Sequence, residues 1–334
     1  MSFAEDLIRQ IEADGGWTVH DYMARCNAHY YAARDPLGSE GDFTTAPEIS
    51  QMFGELIGAW AADLWQRAGA PDAFRLVELG PGRGTLMADL LRAAGSLPGF
   101  REAARVVMVE NSPVLQARQK QAVPAALHVT ELSDIPDGLP SIIIANEFFD
   151  ALPVEQTMRT SGGKAPRRIV ADNGALRFDD EGGEIEETPA AGLACLDLLA
   201  ERMSAGGALL MIDYGYTGGE RGDTLQAVRR HEKVDPLAFP GESDLTAHVD
   251  FAAFAKAGRE AGLSVFGPTM QAAFLSALGL GMRAEMLMKS SNEPGQAEIA
   301  AAVHRLTAPD QMGALFKAIA FAHSDWPAPA GFPQ

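Results

Sequence analysis

Three short runs in this chain carry residue types that chemistry can use. In the first, Leu76-Val77-Glu78-Leu79 runs straight into Gly80-Pro81-Gly82-Arg83-Gly84. A strand that empties into a glycine-rich turn and then a helix makes a cradle, because glycine turns tightly and lets backbone approach a ligand where a Cβ would clash. The spacing Gly80-x-Gly82-x-Gly84 differs from the G-x-G-x-x-G of dinucleotide sites, and no Lys-Ser/Thr pair follows as in a phosphate-binding loop. In the second run, Arg105-Val106-Val107-Met108-Val109 ends in the acid Glu110. A carboxylate there can accept hydrogen bonds from both hydroxyls of a ribose. It stands 30 residues past Gly80, and the loop Gly95-Ser96-Leu97-Pro98-Gly99 absorbs the excess over the usual spacing. The third run, Asn146-Glu147-Phe148-Phe149-Asp150, follows the apolar stretch Ser141-Ile142-Ile143-Ile144-Ala145. Ligands of open α/β sheets bind beyond the carboxyl ends of the strands, which is where these polar groups would stand. A carboxylate directly after a buried strand is costly to bury unpaired, so a cationic partner is the natural complement. Each run also has a plainer reading: a structural turn, a surface acid ending a strand, and a helix cap with packed phenylalanines.

Other chemistries find little support. The seven histidines show neither H-E-x-x-H nor a tight ligand spacing, so no metal is expected. The chain lacks a G-x-S-x-G hydrolase elbow. Cys26 and Cys195 lie far apart and belong to no C-x-x-C pair, which reads as two reduced thiols rather than a disulfide or a zinc site.

The elements that must position these runs follow from periodicity. Strands alternate with helical segments from Phe74 through the apolar fourth strand, and the pattern resumes at Ala208-Leu209-Leu210-Met211-Ile212-Asp213. Apolar strands of this kind are covered by helices on both faces, so the expectation is an α/β fold with a doubly wound, mostly parallel sheet. Residues 1–70 read as a helical extension. Its clearest helix begins at Thr45-Ala46-Pro47-Glu48, where Thr45 is the expected N-cap, and carries the stripe Ile49, Met52, Phe53, Leu56, Ile57, Trp60 and Leu64. Within that stripe, Gly54 and Gly58 predict close packing on a neighbouring helix. The core over 71–334 carries two insertions, one β-rich at about 154–187 with an Asn173-Gly174 turn, the other mostly helical at about 216–310. The run Ala314–Phe321 fits either a last strand or a short helix.

The 334 residues include 27 Lys and Arg against 45 Asp and Glu, a formal charge of −18. That balance argues against nucleic acid or an anionic membrane as partner, since both reward basic residues. Seven of the acids fall between Asp172 and Glu187, which reads as a solvated loop or as a docking surface for a basic partner. The acidic start Met1-Ser2-Phe3-Ala4-Glu5-Asp6 is neither a secretory signal nor an Arg-rich transit peptide, and no apolar stretch is long enough to span a bilayer. A cytoplasmic protein is expected; the oligomeric state is not legible.

With Glu78 included, the first run reads E-x-G-x-G-x-G, the form used by class I S-adenosylmethionine methyltransferases. The whole pattern resembles the MidA family. The resemblance rests on Gly41-Asp42-Phe43-Thr44-Thr45-Ala46-Pro47-Glu48-Ile49-Ser50-Gln51, on Glu78 through Met87, on Asn146 through Pro153, and on Ile212-Asp213-Tyr214-Gly215. Gly222-Asp223-Thr224-Leu225-Gln226 and Asp244-Leu245-Thr246-Ala247-His248-Val249-Asp250-Phe251 fit it as well. It spans residues 3–322, nearly the whole chain. The resemblance implies a class I methyltransferase (Rossmann-like) fold with extra helical segments. It implies S-adenosyl-L-methionine as cofactor, with Gly80, Gly82, Gly84 and Glu110 at its site, Glu78 and Thr45 beside them, and the loop 41–48 over the same cleft. Its mitochondrial members are complex I assembly factors that symmetrically dimethylate an arginine of a core subunit; without a transit peptide, this chain is expected to be a bacterial member with a protein substrate of that kind. A guanidinium is always protonated and is a poor nucleophile until its charge is drawn to one side, which a paired carboxylate does. Glu147 is the first choice for that carboxylate, with Asp150 and Asp213 in reserve and Asn146 orienting the attacking nitrogen. A small-molecule N- or O-methyltransferase, and a non-catalytic assembly chaperone that binds the cofactor, are the alternatives.

Overall fold

A computed structural model describes residues 2–38, 41–160, 163–180, 183–218 and 222–333. Seven strands form the main path of the central sheet. They are β1 (Phe74–Leu79), β2 (Ala104–Val109), β3 (Leu127–Val129), β4 (Ser141–Asn146), β5 (Gly207–Tyr216), β6 (Ser264–Met270) and β7 (Phe316–Ala322). Their spatial order is β6-β7-β5-β4-β1-β2-β3. All neighbours run parallel except β7, which is antiparallel to both β5 and β6. The order reverses between β4 and β1, so the carboxyl ends of these two strands flank the crevice where such sheets take ligands. Within the run Ala314–Phe321, Ala314 and Leu315 end the short helix Met312–Leu315, and the rest is strand β7, which sets Phe321 opposite Leu209 and Ile319 opposite Met211.

Because side chains alternate along a strand, each buried strand feeds two cores. Leu76, Ile142, Ile144, Leu210 and Ile212 face the helices Gln51–Arg67 and Thr85–Ala94. Val77, Ile143, Ala145, Leu209 and Met211 face the helices Ala190–Arg202 and Phe251–Glu260. Gly54 and Gly58 allow the first pair of helices to touch: a Cβ at Gly54 would sit 2.6 Å from Asp89 Cβ, and one at Gly58 2.6 Å from the Leu90 carbonyl.

A third core lies away from the sheet. Leu7, Ile11, Val19, Tyr22, Met23 and Cys26 of the helices Phe3–Ala13 and Val19–Ala33 pack on Val154, Ile169, Leu225, Ala227, Leu245 and Ala247 of the inserted segments. The N-terminal helices thus join the two insertions to one another. The hairpin predicted at Asn173-Gly174 forms, with both residues in the left-handed region (φ 51° and 80°), and its first strand pairs with Trp17–Thr18.

Three expectations change. The segment at about 216–310, expected to be mostly helical, is so only from Phe251 on, where four helices flank strand β6; before them Gln226–Arg229, Glu232–Val234 and Asp244–Thr246 form a three-stranded antiparallel sheet. The strands put Leu225, Ala227, Leu245 and Ala247 into the third core. Thr45 makes no side-chain cap bond, and the long helix is broken at Ser50, whose extended backbone lets its hydroxyl cap Met52 instead. Finally, much of the acidic stretch is internally paired rather than open. Glu186 meets Arg159 and Lys164, Asp180 meets Arg167, and Asp179 meets Arg177; Glu181 lies outside the described residues. No helix among the described residues is long and apolar enough to cross a membrane.

Candidate active site

A cavity of about 800 Å³ opens beyond the carboxyl ends of β1, β2 and β4, and Thr45, Glu78, Gly80, Gly82, Glu110, Asn146, Glu147 and Asp150 all line it. Eight residues picked from three distant runs and one loop are thereby brought together. Gly84 and Asp213 are not part of the lining, and each has another task. A Cβ on Gly84 would lie 3.3 Å from Ala122 Cβ and 3.4 Å from Gln119 Cα, so this glycine (φ 82°) lets the helix Pro113–Ala122 pack against the turn. Asp213 is fully buried and accepts the backbone N–H groups of Phe149 (3.0 Å), Asp150 (3.2 Å) and Tyr214 (2.9 Å). It braces the turn after β4 from behind and does not face the ligand space. A carboxylate saturated with backbone donors is a support, not a partner for an incoming cation.

At the cradle, Gly80 and Gly82 adopt φ values of 57° and 54°, a region that side chains with a Cβ rarely enter. A Cβ on Gly82 would come within 2.8 Å of Leu37 Cδ1. Leu37 belongs to the loop that crosses the cradle, and Arg83 ties that loop down: its guanidinium donates to Asp35 (2.8 Å), to the Leu37 carbonyl (2.6 Å) and to Glu48 (3.5 Å). Glu48, released from helix capping, also accepts the Thr85 hydroxyl. Beneath the turn, Glu78 is buried with Oε2 lacking any partner, and desolvation pushes its carboxyl up to about 8. Such an orphaned oxygen at the cavity wall calls for a ligand group.

At the end of β2, Glu110 Oε1 accepts the Ser112 N–H (2.8 Å) and Oε2 accepts Gln119 Nε2 (3.2 Å). Gln119 also donates to the Gly82 carbonyl (2.8 Å), fixing the acid against the glycine turn. The set fits a molecule that carries a ribose and an amino-acid moiety, as S-adenosyl-L-methionine does: an acid for the hydroxyls and a glycine turn for close approach.

The third run builds the other part of the cavity. Glu147 sits in the left-handed region at φ 52°, a strained conformation for a residue with a long side chain. Its Oε1 accepts the Ala46 N–H and Asn146 Nδ2, both at 3.0 Å, and desolvation raises its carboxyl to about 7. Asn146 Oδ1 and Asp150 Oδ1 are buried without a partner. Desolvation raises Asp150 to about 6 although Tyr214 hydrogen-bonds to it. Sequence reasoning missed Asp244 and Tyr31, which line the same cavity. Asp244 lay inside a quoted family motif, but neither residue has a spacing that links it to the runs. Among the described residues, the ion pairs of the chain leave out Glu147, Asp150 and Asp244. The two thiols are free and buried, Cys195 in the wall of the cavity and Cys26 in the third core, and desolvation pushes each up to about 12. No cluster of His, Cys, Asp and Glu among the described residues could hold a metal ion.

Comparison with known proteins shows the family. Residues 56–269 match the model of the family described as "Putative S-adenosyl-L-methionine-dependent methyltransferase". The Xenopus laevis protein named "Protein arginine methyltransferase NDUFAF7, mitochondrial" is 36% identical over 361 residues, covering 93% of this chain and 82% of its own. The Homo sapiens protein of the same name is 33% identical over 362 residues, covering 93% and 81%. A Burkholderia thailandensis protein crystallised with S-adenosyl-homocysteine superposes with a TM-score of 0.87 at 28% identity, over 98% of this chain and 93% of that one. Its fold, its glycine-turn strand and these relatives lead to one conclusion: the chain belongs to the MidA-type family of S-adenosyl-L-methionine-dependent methyltransferases.

Proposed function

We propose that this methyltransferase acts on the guanidinium of a protein arginine, with Glu78, Gly80, Gly82 and Glu110 holding the cofactor and the turn after β4 holding the acceptor. One observation carries the reading. Glu147 and Asp150 line the cavity beyond β4, with neither in an ion pair with a described residue and an unpartnered Asn146 oxygen on the residue just before Glu147. A site of this kind is poorly matched to a neutral hydroxyl and well matched to a buried cation.

The bound cofactor supplies an electrophilic sulfonium methyl. Glu147 would draw the guanidinium charge to its own side through charge-assisted bonds, leaving a nitrogen with usable lone-pair density. Asn146 Oδ1 would accept an N–H of that nitrogen and fix its direction. Asp150, whose carboxyl is already raised toward neutrality, would receive the proton that the methylated nitrogen gives up. The names of the relatives as protein arginine methyltransferases support the acceptor class. The MidA resemblance extends the reading to symmetric dimethylation of one arginine in a core subunit of respiratory complex I. A side chain buried in the assembled enzyme would be out of reach, so modification would precede docking.

The test is incubation of the protein with labelled S-adenosyl-L-methionine and an extract from a strain lacking its gene, followed by mass-spectrometric mapping. Label on both terminal nitrogens of one arginine in a complex I core subunit is expected. Label confined to small molecules would replace this reading with a metabolite methyltransferase, and absence of any transfer would leave a cofactor-binding chaperone.

A further inference from the structure

The helix Val19–Ala33 presents Asn27 and Tyr31, one turn apart on the same face, to the active-site cavity. Asn27 Nδ2 donates to the Ala151 carbonyl (2.9 Å) and to the Leu245 carbonyl (2.8 Å), and Asn27 Oδ1 accepts the Leu245 N–H (3.3 Å). The Ala247 N–H donates to the Asp150 carbonyl at 2.9 Å. One asparagine and one backbone bond therefore staple the turn that carries Asp150 to the strand that carries Asp244. Tyr31 then donates its hydroxyl to Asp244 Oδ1 at 2.6 Å. Asp244 is only 6% exposed, yet it lines the same cavity as Glu147 and Asp150.

We propose that Asp244, held by Tyr31, is a second acceptor-binding carboxylate that selects a guanidinium over a neutral side chain of the same shape. The inference rests on the arginine reading above and adds a residue from outside the central sheet. Buried acids that share one cavity repel one another, and the arrangement becomes favourable when a cation enters between them. A guanidinium has five donors in a planar fork, so it can meet carboxylates on two sides at once, which a compact ammonium does less well. Were Asp244 needed only to receive the Tyr31 hydroxyl, an amide oxygen would serve equally. The aromatic wall suits the same ligand: Tyr214 stands edge-on to His248 and to Phe316, with ring centroids 5.5 and 5.4 Å apart, and all three line the cavity.

The experiment uses the full chain saturated with S-adenosyl-homocysteine. Acetyl-Gly-Arg-Gly-amide and its citrulline counterpart, which replaces the charged fork by a neutral isostere, are titrated calorimetrically. The wild type is expected to prefer the arginine peptide by about tenfold or more, the scale of a hydrogen bond to a charged group. Asp244→Asn should remove most of that preference, Asp244→Glu should restore part of it, and neither should change the affinity for S-adenosyl-homocysteine or lower the unfolding midpoint. A preference that survives in Asp244→Asn removes Asp244 from the acceptor site and leaves the arginine reading standing. Equal weakening of both peptides, or of cofactor-product binding, overturns the selective role in favour of a structural one. A wild type that does not distinguish the two peptides overturns the arginine reading itself.

Discussion

The backbone N–H of Ala46 donates to Glu147 Oε1 at 3.0 Å, joining the loop in front of the long helix to the end of β4 across 101 residues. Glu147 thus has one oxygen engaged in holding that loop and one not so engaged. A change that keeps the acceptor for Ala46 but removes the charge separates these two tasks.

Glu147→Gln is such a change. Cofactor affinity should stay within about twofold of wild type, and methyl transfer should fall by about a hundredfold or more, the order seen when one electrostatic stabiliser is lost. Calorimetry and a labelled-methyl assay on the same preparation check it. Wild-type turnover would pass the role to Asp150 or to Asp244.

The two glycines of the turn should fail differently. Gly82→Val places a branched side chain in the left-handed region against Leu37, at the mouth of the cradle, and should abolish S-adenosyl-L-methionine binding while the protein still folds. Gly84→Ala meets Ala122 and Gln119 instead, so its cost should fall on stability, about 1–2 kcal/mol for the left-handed backbone alone. Denaturant melts paired with binding isotherms distinguish the two outcomes.

Stability of the ligand-free chain should fall as pH rises from about 5 to above 8. Glu78 and Asp244 are pushed up to about 8, Glu147 to about 7 and Asp150 to about 6, in each case chiefly by desolvation. Unfolded carboxyls titrate near ~4, so over this window the folded chain binds more protons than the unfolded one, and raising pH favours unfolding. Asp244→Asn removes one of these groups and should raise the midpoint at pH 8 while flattening the profile. Asp197→Asn, at an exposed acid of the helix Ala190–Arg202, controls for the change in net charge. Equal profiles for the two variants would contradict the desolvation argument.

Asn27→Ala should act at a distance from the methyl transfer centre. It leaves the carbonyls of Ala151 and Leu245 and the Leu245 N–H without their partner, at a cost of roughly 2–3 kcal/mol. Because those bonds align Asp150 and Asp244, KM for the acceptor should rise while the dissociation constant of S-adenosyl-L-methionine stays unchanged. Steady-state kinetics with the mapped acceptor would show a rise in both if the helix also shaped the cradle.

What could be read in advance was whatever is local. Glu78 to Gly84, Glu110 and Asn146 to Asp150 each stand at a strand end, and a strand's apolar run announces its own end in the sequence. Tyr31 and Asp244 carry no such signal, since 213 residues separate them and only the third core brings them together. The same holds for the sheet at Gln226–Thr246, whose strands are three or four residues long and too short to show a period beside their turns. Ser50 escaped notice for the opposite reason: Thr45, Pro47 and Glu48 make a convincing helix start by themselves, and a short helix Ala46–Ile49 does form there before Ser50 interrupts it and caps the long one. The acidic run is read too simply in the same manner, because Arg159 and Lys164 on neighbouring strands pair with Glu186, and Arg167 between two strands pairs with Asp180.

The third core has a consequence for the order in which this protein is completed. A chain emerging from the ribosome folds from its N-terminus, and contacts between distant segments form late because closing a long loop costs entropy. Tyr31 must wait for Asp244, and Asn27 for Leu245, so the helix Val19–Ala33 is made long before it finds these partners. Strands β1, β2 and β4, by contrast, can pair as soon as Asn146 has emerged. A nascent chain of that length already holds both walls of the cradle but lacks the face that would receive a guanidinium.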